Sequence, residues 1–130
     1  AASQGFEDRR IVAVFQPHFF SRTRDFADAF ARSFFNADAL VVTDVYGSRE
    51  TPIDNVDGSM LADRARRFGH RDVHYVPDKE NLPEELEALT DDGDVVLMMG
   101  AGDIWRYSRV FVDRLSDTGK TKPASEQQPA

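Results

Sequence analysis

The sequence predicts an α/β domain: a three-layer sandwich in which helices cover both faces of a mostly parallel sheet of at least four strands. Two observations carry this. Four short runs, Arg10 to Phe15, Ala39 to Thr43, Asp72 to Val76 and Asp94 to Met99, are each followed by a stretch with helical periodicity. The first and last of these runs have continuous apolar cores, IVAVF and VVLMM, the pattern of strands buried on both faces. Strict strand–helix alternation implies right-handed crossovers and a small Rossmann-like arrangement, smaller than a full dinucleotide-binding fold.

The elements are read in order. Residues 1–9 form an irregular lead-in. After strand one, Pro17 has no N–H for a ladder and ends the run. Helix one is predicted over Thr23 to Asn36, with Phe26, Ala27, Phe30, Ala31 and Phe34 as its apolar stripe. Ser21 or Thr23 is its expected cap, and Asp25 falls in its expected first turn. Strand two is followed by Asp44, Tyr46 and Gly47 and by a loop with Pro52, Asp54 and Asn55. Helix two is predicted over Ser59 to Phe68, with Gly69 at a left-handed C-cap. Pro83, with Glu84 and Glu85 beside it, suits the first turn of helix three, whose stripe is Leu82, Leu86 and Leu89. Helix four is predicted over Asp103 to Leu115, burying Ile104, Phe111 and Leu115. From Ser116 onward almost no apolar residue remains, so residues 116–130 are expected to be a disordered tail. The folded domain is accordingly placed at residues 1–115.

Composition narrows the function classes. The chain has 130 residues, 41% of them hydrophobic, enough for one domain with a core. A formal net charge of −7 argues against nonspecific nucleic-acid binding, which needs a basic face. No cysteine occurs, which excludes disulfide and thiol chemistry and fits a cytoplasmic location. No apolar run approaches the roughly 20 residues of a membrane helix, so no membrane partner is expected.

In an open α/β sheet, ligands bind outside the carboxyl ends of the strands. His18, Ser21, Arg22, Asp25, Asp44, Tyr46 and Asp103 all fall just after strands one, two and four, so they are expected on one rim. Arg22 and Arg24 stand near the expected start of helix one, where the dipole disfavours cations. Either an anion sits there or the two are exposed arginines paired with Asp25 or Asp28. Gly100-Ala101-Gly102-Asp103 is G-x-G opening a helix without the third glycine, and reads first as a tight turn with an Asp cap. His18 is either a hydrogen-bonding or proton-transfer group or a plain loop histidine. It has no partner at ligand spacing, so no metal site is expected. No G-x-x-x-x-G-K-[ST] and no nucleophilic triad occurs in the sequence, so no catalytic residue is assigned.

Three blocks, RRIVAVFQPHFFSRTRDF, TDVYGSRETPI and VVLMMGAGDIW, resemble the C-terminal domain of the Mur ligases over about Arg9 to Leu115. The similarity is greatest to the branch that joins L-alanine to UDP-N-acetylmuramate. The resemblance implies an ATP- and Mg²⁺-dependent carboxylate–amine ligase of peptidoglycan precursor synthesis, with this domain closing over a central ATPase domain of the same polypeptide. It implies that His18, Phe20, Ser21 and Arg22 line the amino-acid side, with Asp44, Tyr46 and Asp103 on the same rim. It places Asp25 at the ATP ribose. Without a phosphate cradle, the chain alone is expected to bind no cofactor and to be inactive. Where the family usually reads Q-P-H-R-Y, this chain has Phe19 and Phe20; near Asp57, where it often has Ser-Arg, this chain has Gly58-Ser59. The family's D-D-Y-x-H-H-P segment does not occur in the sequence. An apolar patch is therefore expected among Phe19, Phe20, Phe34 and Phe35, where that segment's helix would pack. The rival reading is a stand-alone Rossmann-like module that binds a small ligand or a protein without chemistry.

Overall fold

The first strand in the chain is the central one. In the computed structural model, which describes residues 9–47, 49–100 and 102–117, β1 (Ile11–Phe15) pairs in parallel with β2 (Ala39–Thr43) on one side and β4 (Val95–Met99) on the other. β3 (Val73–Val76) adds to the far side of β2, giving the order β3-β2-β1-β4. Phe15 lies level with both Val42 and Met99, and Thr43 with Val76, so the strands finish together. The chain steps outward from β1 to β3 and then returns to the other side of β1. This reversal makes the gap between the ends of β1 and β4 the switch point at which such sheets take ligands.

The period of two sends alternate residues of β1 to opposite cores. Val12 and Val14 join Val41, Val96, Met98, Leu82, Leu86, Ile104, Phe111 and Leu115 under α4 (Leu82–Leu89) and α5 (Ile104–Asp117). Ala13 joins Leu40, Val42, Ala27, Ala31, Leu61, Ala62 and Ala65 under α2 (Ala27–Ser33) and α3 (Gly58–Arg67). Alanines dominate the second core, which lets its helices lie close to the sheet. At the strand starts, Arg10 clasps three segments: its guanidinium donates to Leu89 O (3.0 Å) and to the Asp94 (3.1 Å) and Asp72 (3.5 Å) carboxylates. No described helix is long and apolar enough to cross a membrane.

Several expectations hold: Gly69 has φ +99°, Pro83 stands in the first turn of α4, and Ile104, Phe111 and Leu115 are buried. The predicted first helix is different. It starts earlier, at Phe20, and is broken at Phe26 (φ −116°, ψ 20°) into α1 (Phe20–Asp25) and α2, ending at Ser33 rather than Asn36. Of its predicted stripe only Ala27 and Ala31 are buried; Phe30 and Phe34 pack sideways on Phe15, at ring distances of 5.1 and 4.9 Å, and Phe26 is exposed. Neither Ser21 nor Thr23 caps it. The N-cap position is Phe19, and the Thr23 hydroxyl instead donates back to Phe19 O at 2.7 Å. Because the helix starts early, Asp25 ends α1, and Arg22 and Arg24 lie in its last turn, where the dipole favours cations. The argument that an anion must offset their position therefore falls away.

Helix α5 continues through Ser116 to Asp117, two residues into the expected tail, and residues 118–130 lie outside the described ones. The lead-in at residues 1–8 lies outside them too. Of the aromatic patch, Phe35 is exposed, whereas Phe19, Phe20 and Phe34 are half-buried.

Candidate functional site

The rim at the strand ends is built by backbone bonds between the β1 and β2 loops. Tyr46 N–H donates to Pro17 O (2.8 Å) and Phe19 N–H donates to Tyr46 O (3.0 Å), a one-residue extension of the parallel pairing. The His18 ring stacks on Phe19 at 4.0 Å and tilts against Tyr46 at 5.7 Å. To turn from strand to helix here, Phe19 takes φ +64° and ψ 136°. A bulky residue at positive φ stores roughly 1–3 kcal/mol, and such strain gathers at functional loops. Both flanking hydrogen bonds and the ring stack hold it in place.

At the switch point Gln16 is 1% exposed and carries two jobs. Its amide oxygen accepts from Ile104 N–H (3.2 Å), capping α5, and its amide nitrogen donates to Asp103 Oδ1 (2.8 Å). The cap expected from Asp103 is thus supplied by a glutamine just past the end of the neighbouring strand. The glycines of G-x-G make room for it. A Cβ on Gly100 would lie 3.0 Å from Gln16 Cβ, and one on Gly102 would lie 2.6 Å from the Tyr46 ring and 2.7 Å from Gln16 Oε1. Asp103 also accepts from Lys79 Nζ at 2.5 Å. Partial burial pushes the Asp103 carboxyl up, but the Lys79 and Gln16 hydrogen bonds outweigh it and hold it below the usual range.

A second cluster forms beside the first. The Glu50 carboxylate accepts from Ser21 N–H (2.9 Å) and Ser21 Oγ (2.5 Å), which lowers its pKa and ties the β2–α3 loop to the start of α1. The Phe20 ring packs against Gly47, where any Cβ would overlap it. Asp44 turns away from both clusters, toward α3: its Oδ1 accepts from Val45 N–H (2.9 Å) and Gly58 N–H (3.1 Å), beside Asp57, which accepts from Met60 N–H (2.9 Å). Burial, together with the Asp44 and Asp57 carboxylates, pushes the Tyr75 phenol up to about 12. Asp25 is exposed and pairs with Arg24 at 2.9 Å. The exposed Arg22 guanidinium makes no hydrogen bond or ion pair with a described residue.

His18, Tyr46 and Asp103 therefore come together, Phe20 and Ser21 sit beside them around Glu50, and Asp44 serves the fold of α3. Sequence reasoning missed Gln16, Lys79 and Glu50. Lys79 had a readable signal: it is a lone cation between Asp78 and Glu80, just after the end of a parallel strand.

Against known proteins, residues 1–102 match the family described as Mur ligase, glutamate ligase domain. The chain belongs to the Mur ligase C-terminal domain family. Among curated relatives, it is 64% identical over 93% of its length to the UDP-N-acetylmuramate–L-alanine ligase of Salinibacter ruber. It is 45% identical over 90% of its length to the enzyme of that name from Geobacter sulfurreducens, and 46% identical over 79% to that of Desulfosudis oleivorans. The chain spans only 26%, 25% and 22% of these relatives, about a quarter of a Mur ligase.

Proposed function

We propose that this chain is the C-terminal domain of an ATP-dependent UDP-N-acetylmuramate–L-alanine ligase, acting in the cytoplasm on a precursor of the cell wall. The observation that carries the reading is the 64% identity over 93% of the chain to a relative of that name. The domain closes its rim over substrates held by a central ATPase domain of the same polypeptide. Closure excludes water from the reacting acyl group, as in other lid enzymes. On this reading Arg22, an exposed cation without a hydrogen bond or ion pair among the described residues, takes the carboxylate of the incoming amino acid. His18, Tyr46 and Asp103 form the wall beside it, with Phe20 and Ser21 fixing the loop. Asp25 is an exposed carboxylate, which fits a hydroxyl-rich ribose because an ionised carboxylate only accepts hydrogen bonds. ATP and Mg²⁺ supply the activation of the muramyl carboxylate; this domain's share is positioning.

The test is Arg22→Ala in the full-length parent. The kcat/KM for L-alanine is expected to fall at least tenfold, mainly through KM, with an unchanged melting temperature because the side chain is exposed. Unimpaired turnover, or a large fall in melting temperature, would return Arg22 to a plain surface role.

A further inference from the structure

Among the described residues of the β3–α4 connection, Lys79 is the one whose side chain reaches the rim, and the side chains it meets there lie outside that connection. Its ammonium sits 2.5 Å from Asp103 Oδ1 in the β4–α5 turn. It also lies 5.2 Å from the centre of the Tyr46 ring in the β2 loop and 6.0 Å from that of Tyr107 on α5. Both distances are within the reach of a cation–π contact. Lys79 and Asp103 are mostly covered, with side chains 23% and 27% exposed, so the pair is screened less than a surface one. Lys79 is itself placed by a short 3₁₀ turn, Lys79–Asn81, capped by the Asp78 carboxylate accepting from Glu80 N–H at 3.0 Å. Tyr46 in turn carries His18 on its other contacts. One ammonium thus joins the loops after β2, β3 and β4 to one another, and through Tyr46 to the loop after β1.

We propose that Lys79 is a positioning residue of the amino-acid pocket: it pins Asp103 and Tyr46 to each other so that the rim arrives pre-formed at closure. The proposal rests on the reading of this rim as that pocket. It makes two separable claims, that Lys79 sets the state of Asp103 and Tyr46, and that their arrangement governs substrate binding.

The first claim is tested on the 130-residue chain. In Lys79→Met the Asp103 carboxyl, followed by carbon-13 NMR, is expected to titrate at distinctly higher pH, and the Tyr46 and His18 ring resonances to shift. Lys79→Arg keeps the cation and is expected to keep the low Asp103 midpoint. Lys79→Gln, polar but uncharged, serves if the methionine variant does not fold. The second claim is tested on the full-length ligase. Lys79→Met is expected to raise KM for L-alanine about tenfold, the loss of one charge-assisted hydrogen bond, with kcat changed far less and with rescue by Lys79→Arg. An Asp103 titration unchanged in Lys79→Met and Lys79→Gln overturns the positioning role. A raised Asp103 midpoint with unchanged KM instead overturns the placing of Asp103 and Tyr46 against the substrate. A fall in melting temperature that Lys79→Arg does not reverse reduces Lys79 to a packing residue.

Discussion

Among the described glycines, Gly58 has the least room for a side chain. A Cβ there would overlap the Thr43 carbonyl and come within 2.8 Å of the Tyr75 ring, both fixed by the sheet. Gly58→Ala is expected to cost about 2 kcal/mol or more as overpacking, a fall of several degrees in melting temperature measured calorimetrically. The missing side chain at Gly58 lets the Tyr75 ring press on the start of α3. Tyr75 also has a readable pH signature, because its phenol is held near 12 by burial and by the Asp44 and Asp57 carboxylates. An acid whose folded pKa is raised stabilises the fold fully below its unfolded value, near 10, and loses that contribution as pH rises toward 12. Wild type should therefore lose denaturant resistance relative to Tyr75→Phe between about pH 10 and 12, with no such divergence near neutrality. Parallel titrations of the two proteins would show it, and parallel curves throughout would contradict it.

Among the elements, α5 depends on a residue from the loop that follows β1. Its first N–H is satisfied by Gln16, which is buried and also holds Asp103. Gln16→Ala removes a cap and leaves a buried donor unpaired, an expected loss of about 1–3 kcal/mol, seen as a lower urea midpoint and early amide exchange at the start of α5. Gln16 also marks the limit of reading function from the chain. The strands and most helix ends were legible because their signals are local: apolar runs, Pro83 at a first turn, Gly69 at positive φ. The early start and the break of the first helix were not, because they follow from a strained Phe19 held by Tyr46, across the sheet. The rim was legible as a place, since every candidate lay after a strand. What each carboxylate does there was not legible. Asp44 and Asp103 look alike in sequence, yet one caps α3 and the other meets Lys79, contacts set by residues 14 and 24 positions away.

On the scale of the whole molecule, the strand order β3-β2-β1-β4 joins nearly the first described residues to nearly the last: Ile11 pairs with Val95 and Phe15 with Met99. The central strand cannot acquire its second neighbour until that distant segment is present. During synthesis, then, the apolar edge of β1 stays open until residue 99 has emerged, and α4 alone covers the core on that side until α5 follows. Sheets that rely on such remote pairing fold slowly and expose sticky edges on the way. A chain ending at Asp92 should keep helical content but unfold without a cooperative transition, and should aggregate where the full chain does not; a sharp melt from that truncated chain would refute this. The late strand is also the one that delivers Asp103, so the rim becomes complete only in the last stage of the domain's birth.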